Sequence, residues 1–171
     1  MRKEPPMTKA LLLTACLVLS ATVAQAAAPS VVRTGAPEAP IAATVEIPGG
    51  SDLIYLSGML PPVADATAPP GTPAAYGDTA TQTVNLFKRM QAVLKEKGLT
   101  LGDVVMMRIY MVGDPAKNGR MDFAGMMAGY KQFFGTPDQP NKPARSTVQV
   151  AGLAAPGPAM EIEVTVARPH R

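Results

Sequence analysis

Two short stretches near the C-terminal end carry side chains that could do chemistry. In Ala144–Val150, Arg145, Thr147 and Gln149 alternate with Ala144, Ser146, Val148 and Val150. In Met160–Ala167, Glu161, Glu163 and Thr165 alternate with Met160, Ile162, Val164 and Val166. A period of two is that of a strand with one polar and one apolar face. The Gly/Pro-rich Ala151–Ala159 predicts a hairpin between them, which would set one guanidinium and two carboxylates on adjacent strands. An arginine can fork onto a ligand carboxylate with two hydrogen bonds, and a glutamate can pass protons to and from water. The plain alternative is a solvated sheet face with a surface ion pair worth under about 1 kcal/mol.

Composition narrows what else could take part. With one Cys and one His in 171 residues, there is no intramolecular disulfide, no Cys-rich zinc site and no His-cluster metal centre. No Walker loop, GxSxG elbow, HExxH or CxxC occurs. Neither metal nor cofactor is expected, and chemistry falls to carboxylates, Arg, Lys, Tyr, hydroxyls and backbone.

Residues 1–26 read as a secretory leader. Arg2, Lys3 and Lys9 precede the uncharged, largely apolar Ala10–Val23, and Ala24-Gln25-Ala26 has the form of a cleavage site. Met7 is as good a start as Met1, and Leu13-Thr14-Ala15-Cys16 offers a lipoprotein box as the minor alternative. The expected location is therefore periplasmic or secreted. Losing three cations and Glu4 with the leader lowers the formal charge from +3 to +1. A polyanion-binding surface needs a clustered basic excess, so no nucleic-acid partner is expected, and no membrane partner for the mature chain. Cys16 leaves with the leader, and His170 sits at a terminus prone to fraying.

The elements that must hold these residues follow from local signals. Residues 27–40 are an Ala/Pro-rich extended lead-in; 41–168 are one domain, and 169–171 a tail. Ile41–Ile47 and Leu53–Ser57 read as strands around the turn Pro48–Asp52, and Val63–Gly77 as a surface loop. Thr79 with Gln82 fits a capping box, Asp78 favours the helix start, and Val84, Phe87, Met90, Val93 and Leu94 mark a buried face ending at Gly98. Asp103–Val112 reads as a strand, with Val104, Met106, Arg108, Tyr110 and Val112 on one face. Asp122 caps a second helix, Phe123–Phe134, whose stripe is Phe123, Met126/Met127, Tyr130 and Phe133/Phe134. Strands at both ends paired as hairpins predict an α+β fold: a mainly antiparallel sheet with two helices on one face. Eleven Met, two of them in the leader, favour burial in an oligomer over a monomer of this length.

Several pieces recur in one order: Leu56-Ser57-Gly58; Lys97-Gly98-Leu99; Leu101-Gly102-Asp103-Val104-Val105; Asp122-Phe123 with Tyr130 and Phe133-Phe134; Pro143-Ala144-Arg145-Ser146; and Glu161-Ile162-Glu163-Val164. From about Ile41 to Arg168 the chain thereby resembles the Rid family (reactive intermediate deaminases, YjgF-like, long labelled L-PSP endoribonucleases). The resemblance implies a chorismate-mutase-like fold, a homotrimer with clefts between subunits, and hydrolysis of 2-enamino or 2-imino acids to 2-keto acids and ammonia without metal or cofactor. It assigns the substrate carboxylate to Arg145, the catalytic water to Glu161, and the cleft lining to Ser57 and Gly58, with Thr147 where a cysteine is typical. Ala42-Ala43-Thr44 stands in place of a common first-strand tyrosine, and Met127 in place of an asparagine of typical deaminases. A non-catalytic trimer binding small carboxylates or protein partners is the alternative, with RNA cleavage behind it.

Overall fold

The computed structural model describes Met1 and residues 30–169; the expected leader beyond Met1, with Cys16, and His170 lie outside the described residues. Eight principal elements follow one another: β1 (Val32–Thr34), β2 (Thr44–Glu46), β3 (Asp52–Met59), α1 (Thr79–Glu96), β4 (Val104–Val112), α2 (Phe123–Tyr130), β5 (Ala144–Val150) and β6 (Met160–Arg168). The architecture is α+β, with two helices packed on one face of a four-stranded sheet.

Strand order is where the structure departs from expectation. The sheet runs β3-β6-β4-β5. β6 lies antiparallel to both β3 and β4, and β5 lies parallel to β4. Parallel neighbours need a crossover rather than a tight turn, and α2 supplies it. Thus β5 and β6 form no hairpin; β4 separates them. At the other end, β2 pairs with β1 from the lead-in and not with β3. The consecutive pairing assumed from chain order therefore fails at both ends, because β6 fills the gap that α1 leaves between β3 and β4.

Helix α1 starts one residue earlier in its capping than expected. Asp78, not Thr79, is the N-cap, its carboxylate accepting from Thr81 N at 2.7 Å. Gln82 is buried and spent elsewhere: it donates to Gly77 O and accepts from Ala159 N, both at 2.8 Å. The buried face of α1 runs through Thr83, Leu86, Phe87, Met90 and Leu94; Val84 is only half-buried. Gly98, in the left-handed region at φ +66°, ends the turn.

Helix α2 is shorter than its apolar stripe. Asp122 caps it by accepting from Gly125 N at 3.1 Å, but the helix stops at Tyr130 and Phe123 is exposed. Its two glycines, poor helix formers, are there for contact with α1. A Cβ built on Gly129 would stand 2.6 Å from Thr83 Cβ and 3.0 Å from Ala80 O, and one on Gly125 3.0 Å from Thr79 Cβ. Close approach seats Met126 and Tyr130 fully in the core, beside Phe87, Met107, Ile109, Met111, Met160 and Ile162. Each such burial is worth roughly 1.5–3 kcal/mol. Tyr130 stacks on Phe134 with centroids 4.9 Å apart and meets Phe87 edge-on at 6.0 Å.

Candidate functional site

The register of the sheet decides which side chains share a face. Met107, Ile109 and Met111 of β4 are buried under the helices. They stand opposite Arg145, Thr147 and Gln149 of β5, so those three polar residues also point to the helix side. Arg108 and Tyr110 point the other way, opposite Glu163 and Glu161 of β6. The expected juxtaposition of Arg145 with the two glutamates on neighbouring strands is thus overturned. They lie on opposite faces of the sheet, two strands apart and offset by three residues, which strand geometry converts to about 14 Å between their Cα atoms.

On the helix side, Arg145 is half-buried at the edge of β5. Its Cζ lies 4.3 Å from the centroid of the Tyr130 ring, a cation–π arrangement. Its Nη2 donates to the Met127 sulfur at 3.3 Å, a weak acceptor. Its Nη1 is buried with no hydrogen-bond partner among the described residues, and the buried Thr147 hydroxyl two residues on is in the same condition. Burial lowers the affinity of the guanidinium for its proton, partly offset by Tyr130, yet an arginine remains charged. Burial also pushes the Tyr130 hydroxyl up to about 12. It stays protonated and donates to Pro40 O at 3.0 Å, so it supports Arg145 and does not serve as a base. Gln149 is engaged at both ends of its amide: the oxygen accepts from Met121 N and the nitrogen donates to Gly119 O, both at 2.8 Å.

On the open face the two glutamates separate into different roles. Glu163 accepts from Arg108 Nη1 at 2.8 Å and from the Tyr110 hydroxyl at 3.1 Å, an exposed sheet-face ion pair. Glu161 makes no hydrogen bond or ion pair among the described residues. Its carboxylate packs instead on Gly58, where any Cβ would collide with it. Gly58 and the exposed Ser57 sit in the irregularity of β3 between Leu56 and Met59, where the pairing with β6 slips. A bulge of this kind re-aims neighbouring groups. Ser57, Gly58 and Glu161 are therefore together, and Arg145 and Thr147 are together, but the two groups are apart. The clefts beside Arg33 and Lys142, beside Asp78 and Asp122, and beside Glu38 and Lys131 are lined by none of these five residues.

Sequence reasoning placed Tyr130 in the apolar stripe and missed its part under Arg145; a residue that is both core and cation platform leaves no separate periodic signal. Arg108 and Tyr110 were placed on one strand face, but their hold on Glu163 depends on β6 lying beside β4.

The arrangement has clear relatives. The sequence model of the Endoribonuclease L-PSP family matches residues 36–168. A RutC family protein of Haemophilus influenzae is 30% identical over 102 residues, covering 60% of this chain and 69% of that one. Among solved structures, Escherichia coli TdcF with bound serine is 28% identical with a TM-score of 0.53, covering 78% of this chain and 96% of TdcF. The E. coli YjgF gene product is 29% identical with a TM-score of 0.50, covering 68% and 80%. With its helix pair, its inserted β6 and its Pro143–Ser146 and Glu161–Val164 segments in these positions, the chain belongs to the endoribonuclease L-PSP family, the Rid/YjgF proteins.

Proposed function

We propose that this chain hydrolyses reactive 2-imino and 2-enamino acids to 2-keto acids and ammonia, in a site completed by a second copy within a homotrimer. The observation that carries the reading is the buried, unpartnered Arg145 Nη1 beside the unpartnered Thr147 hydroxyl. An unmade hydrogen bond on a buried charged group is costly, and a ligand carboxylate forked onto Arg145 relieves it. The Met127 sulfur is a poor enough acceptor to yield Nη2 to that carboxylate.

Glu161 then acts from the neighbouring copy. One small imino acid cannot reach both Arg145 and Glu161 of a single chain, since they lie on opposite faces of the sheet. An interface bringing the Glu161 face of one copy to the edge of β5 in the next unites them. The open face is suited to such burial, since Leu53, Tyr55 and Val148 are exposed there. In the reaction, Glu161 takes a proton from water as its oxygen bonds to the imine carbon, then returns it to the nitrogen. Glu161 then carries the proton of the new hydroxyl to the nitrogen of this carbinolamine, and the carbon–nitrogen bond breaks as the carbonyl forms, releasing ammonia and leaving the keto acid; an enamine enters after tautomerising to the imine. Gly58 leaves room for the carboxylate, and Ser57 and Thr147 supply hydroxyls to the cleft.

The second reading, a non-catalytic carboxylate-binding trimer, is favoured by Met127, which contacts Arg145 at the position where typical deaminases carry asparagine. TdcF, solved with serine, is a relative that holds a small carboxylate-bearing ligand. RNA cleavage fits less well with a near-neutral domain. We also assign the domain to the periplasm or exterior, from the leader reading of residues 1–26.

The test is keto-acid trapping by semicarbazide while a threonine dehydratase generates the imine in situ. Faster hydrolysis by the wild type, lost in Arg145→Ala and Glu161→Gln, is expected. Binding of 2-ketobutyrate that needs Arg145, with no acceleration, would establish the second reading. Equal ketobutyrate affinity in wild type and Arg145→Ala would defeat both.

A further inference from the structure

A cleft of about 250 Å³ lies between the β1 segment and the loop that leads into β5, remote in role from the Arg145 chemistry. Two cations line it, Arg33 and Lys142, and no carboxylate does. Both are anchored by backbone carbonyls instead of counter-charges. Arg33 Nη2 donates to Gly102 O at 2.9 Å and Val104 O at 3.3 Å. Lys142 Nζ donates to Pro37 O and Ala39 O, both at 2.7 Å.

The donor inventory is not exhausted by these bonds. Lys142 has three N–H donors and uses two. The Nε of Arg33 is buried and has no partner among the described residues. Asn141, also on the wall, donates one amide hydrogen to Gly102 O at 3.1 Å and keeps a second. Carbonyl dipoles hold both cations in place without cancelling their charge. Burial lowers the proton affinity of Arg33, with Asp103 only partly offsetting it.

We propose that this cleft binds a small oxyanion of phosphate type, as free inorganic phosphate or as the phosphate group of a small metabolite, with Arg33 and Lys142 as its cationic ligands. Two under-compensated cations suit a dianion better than a monocarboxylate, and the volume suits a compact ligand. Lys142 is followed by Pro143, which accepts from Ala42 N at 3.0 Å, and then by Ala144 and Arg145. An anion here would therefore also fasten the lead-in to the start of the strand that carries Arg145.

The test is calorimetric titration of the full domain with inorganic phosphate and, separately, acetate. Saturable phosphate binding, weaker for acetate, is expected. Arg33→Met and Lys142→Met should each raise the phosphate Kd about tenfold or more, as loss of a charge-assisted hydrogen bond requires. Arg145→Ala should leave it unchanged. Because Arg33 also ties β1 to the start of β4, Ala36→Glu serves as the second variant: Ala36 is exposed on the cleft wall, and the new carboxylate should abolish phosphate binding with every clamp intact. Absent saturation, acetate binding as tightly as phosphate, an unaffected Ala36→Glu, or loss of binding in Arg145→Ala would each overturn the proposal.

Discussion

If Arg145 and Glu161 serve one ligand from two different copies, two inactive variants should rescue one another. Arg145→Ala removes the carboxylate fork and keeps the Glu161 face; Glu161→Gln does the reverse. The two residues are about 14 Å apart at Cα on opposite faces of one sheet, so no rearrangement short of unfolding unites them within a chain. In trimers assembled at random from equal amounts of the two variants, each interface needs an intact Arg145 on one side and an intact Glu161 on the other. The chance of each is one half, so about a quarter of the sites are of wild-type composition in a cyclic assembly. Double purification of the two variants, co-expressed with different affinity tags, discards the homotrimers, and each mixed cyclic trimer keeps one intact site of its three, so the semicarbazide assay should return about a third of wild-type activity. Either variant alone should show close to none. An active wild type with an inactive mixture would refute the shared site, since it would require both residues to act from a single chain.

Gly58→Ala should lower kcat with little change in melting temperature, because the atoms nearest the new methyl all belong to the flexible end of the Glu161 side chain, which it displaces; unchanged kcat would show that Glu161's position is immaterial. Gly129→Ala should destabilise the protein in urea unfolding despite a helix-propensity gain of about 1 kcal/mol. Overpacking against the buried Thr83 and the Ala80 carbonyl costs about 1–3 kcal/mol, and neither neighbour can withdraw. Asp78→Ala should cost about 1 kcal/mol at neutral pH through loss of the N-cap. Hydrogen bonds from the Thr81 backbone and hydroxyl hold the Asp78 carboxyl below its ordinary value of 3.8. Its folded value being depressed, its contribution is complete above 3.8 and fades as pH falls through the folded value, so the gap between wild type and variant should close in acid.

The local layer of this fold was legible. Periodicity located all the long elements, and the alternation along β4 correctly divided Met106–Val112 into a buried and an open face, because each depends only on residues close in sequence; it failed at Val104, which is buried in the core where the pairing with β6 slips between Val104 and Met106. What local pattern could not carry was partner choice. A strand's alternation says that one face is buried; it does not say which neighbour lies beside it. β6 reads equally well as the second arm of a hairpin or as an insertion between β3 and β4. Chain order favours the first, and the hydrophobic need to fill the space beneath α1 selects the second. The same limit governed α2, where the apolar stripe continues to Phe134 but the helix stops at Tyr130.

That single change of neighbour alters the meaning of the site more than that of the fold. As hairpin partners, Arg145 and Glu161 would have been simplest to read as an ordinary ion pair, with each charge satisfied by the other and little left for a ligand. With β4 between them and the faces opposed, neither can neutralise the other. Glu163, one turn of the alternation away from Glu161, is the carboxylate that takes the structural pairing, with Arg108 and Tyr110. Arg145 is left with a ring, a thioether and an empty donor; Glu161 is left with a glycine. A monomer that buries an unpaired guanidinium at a sheet edge while keeping a carboxylate unengaged on the other face forgoes stability in two places. Both costs are recovered if ligand and second copy arrive together, so the physical argument for a ligand and the physical argument for assembly rest on the same two side chains.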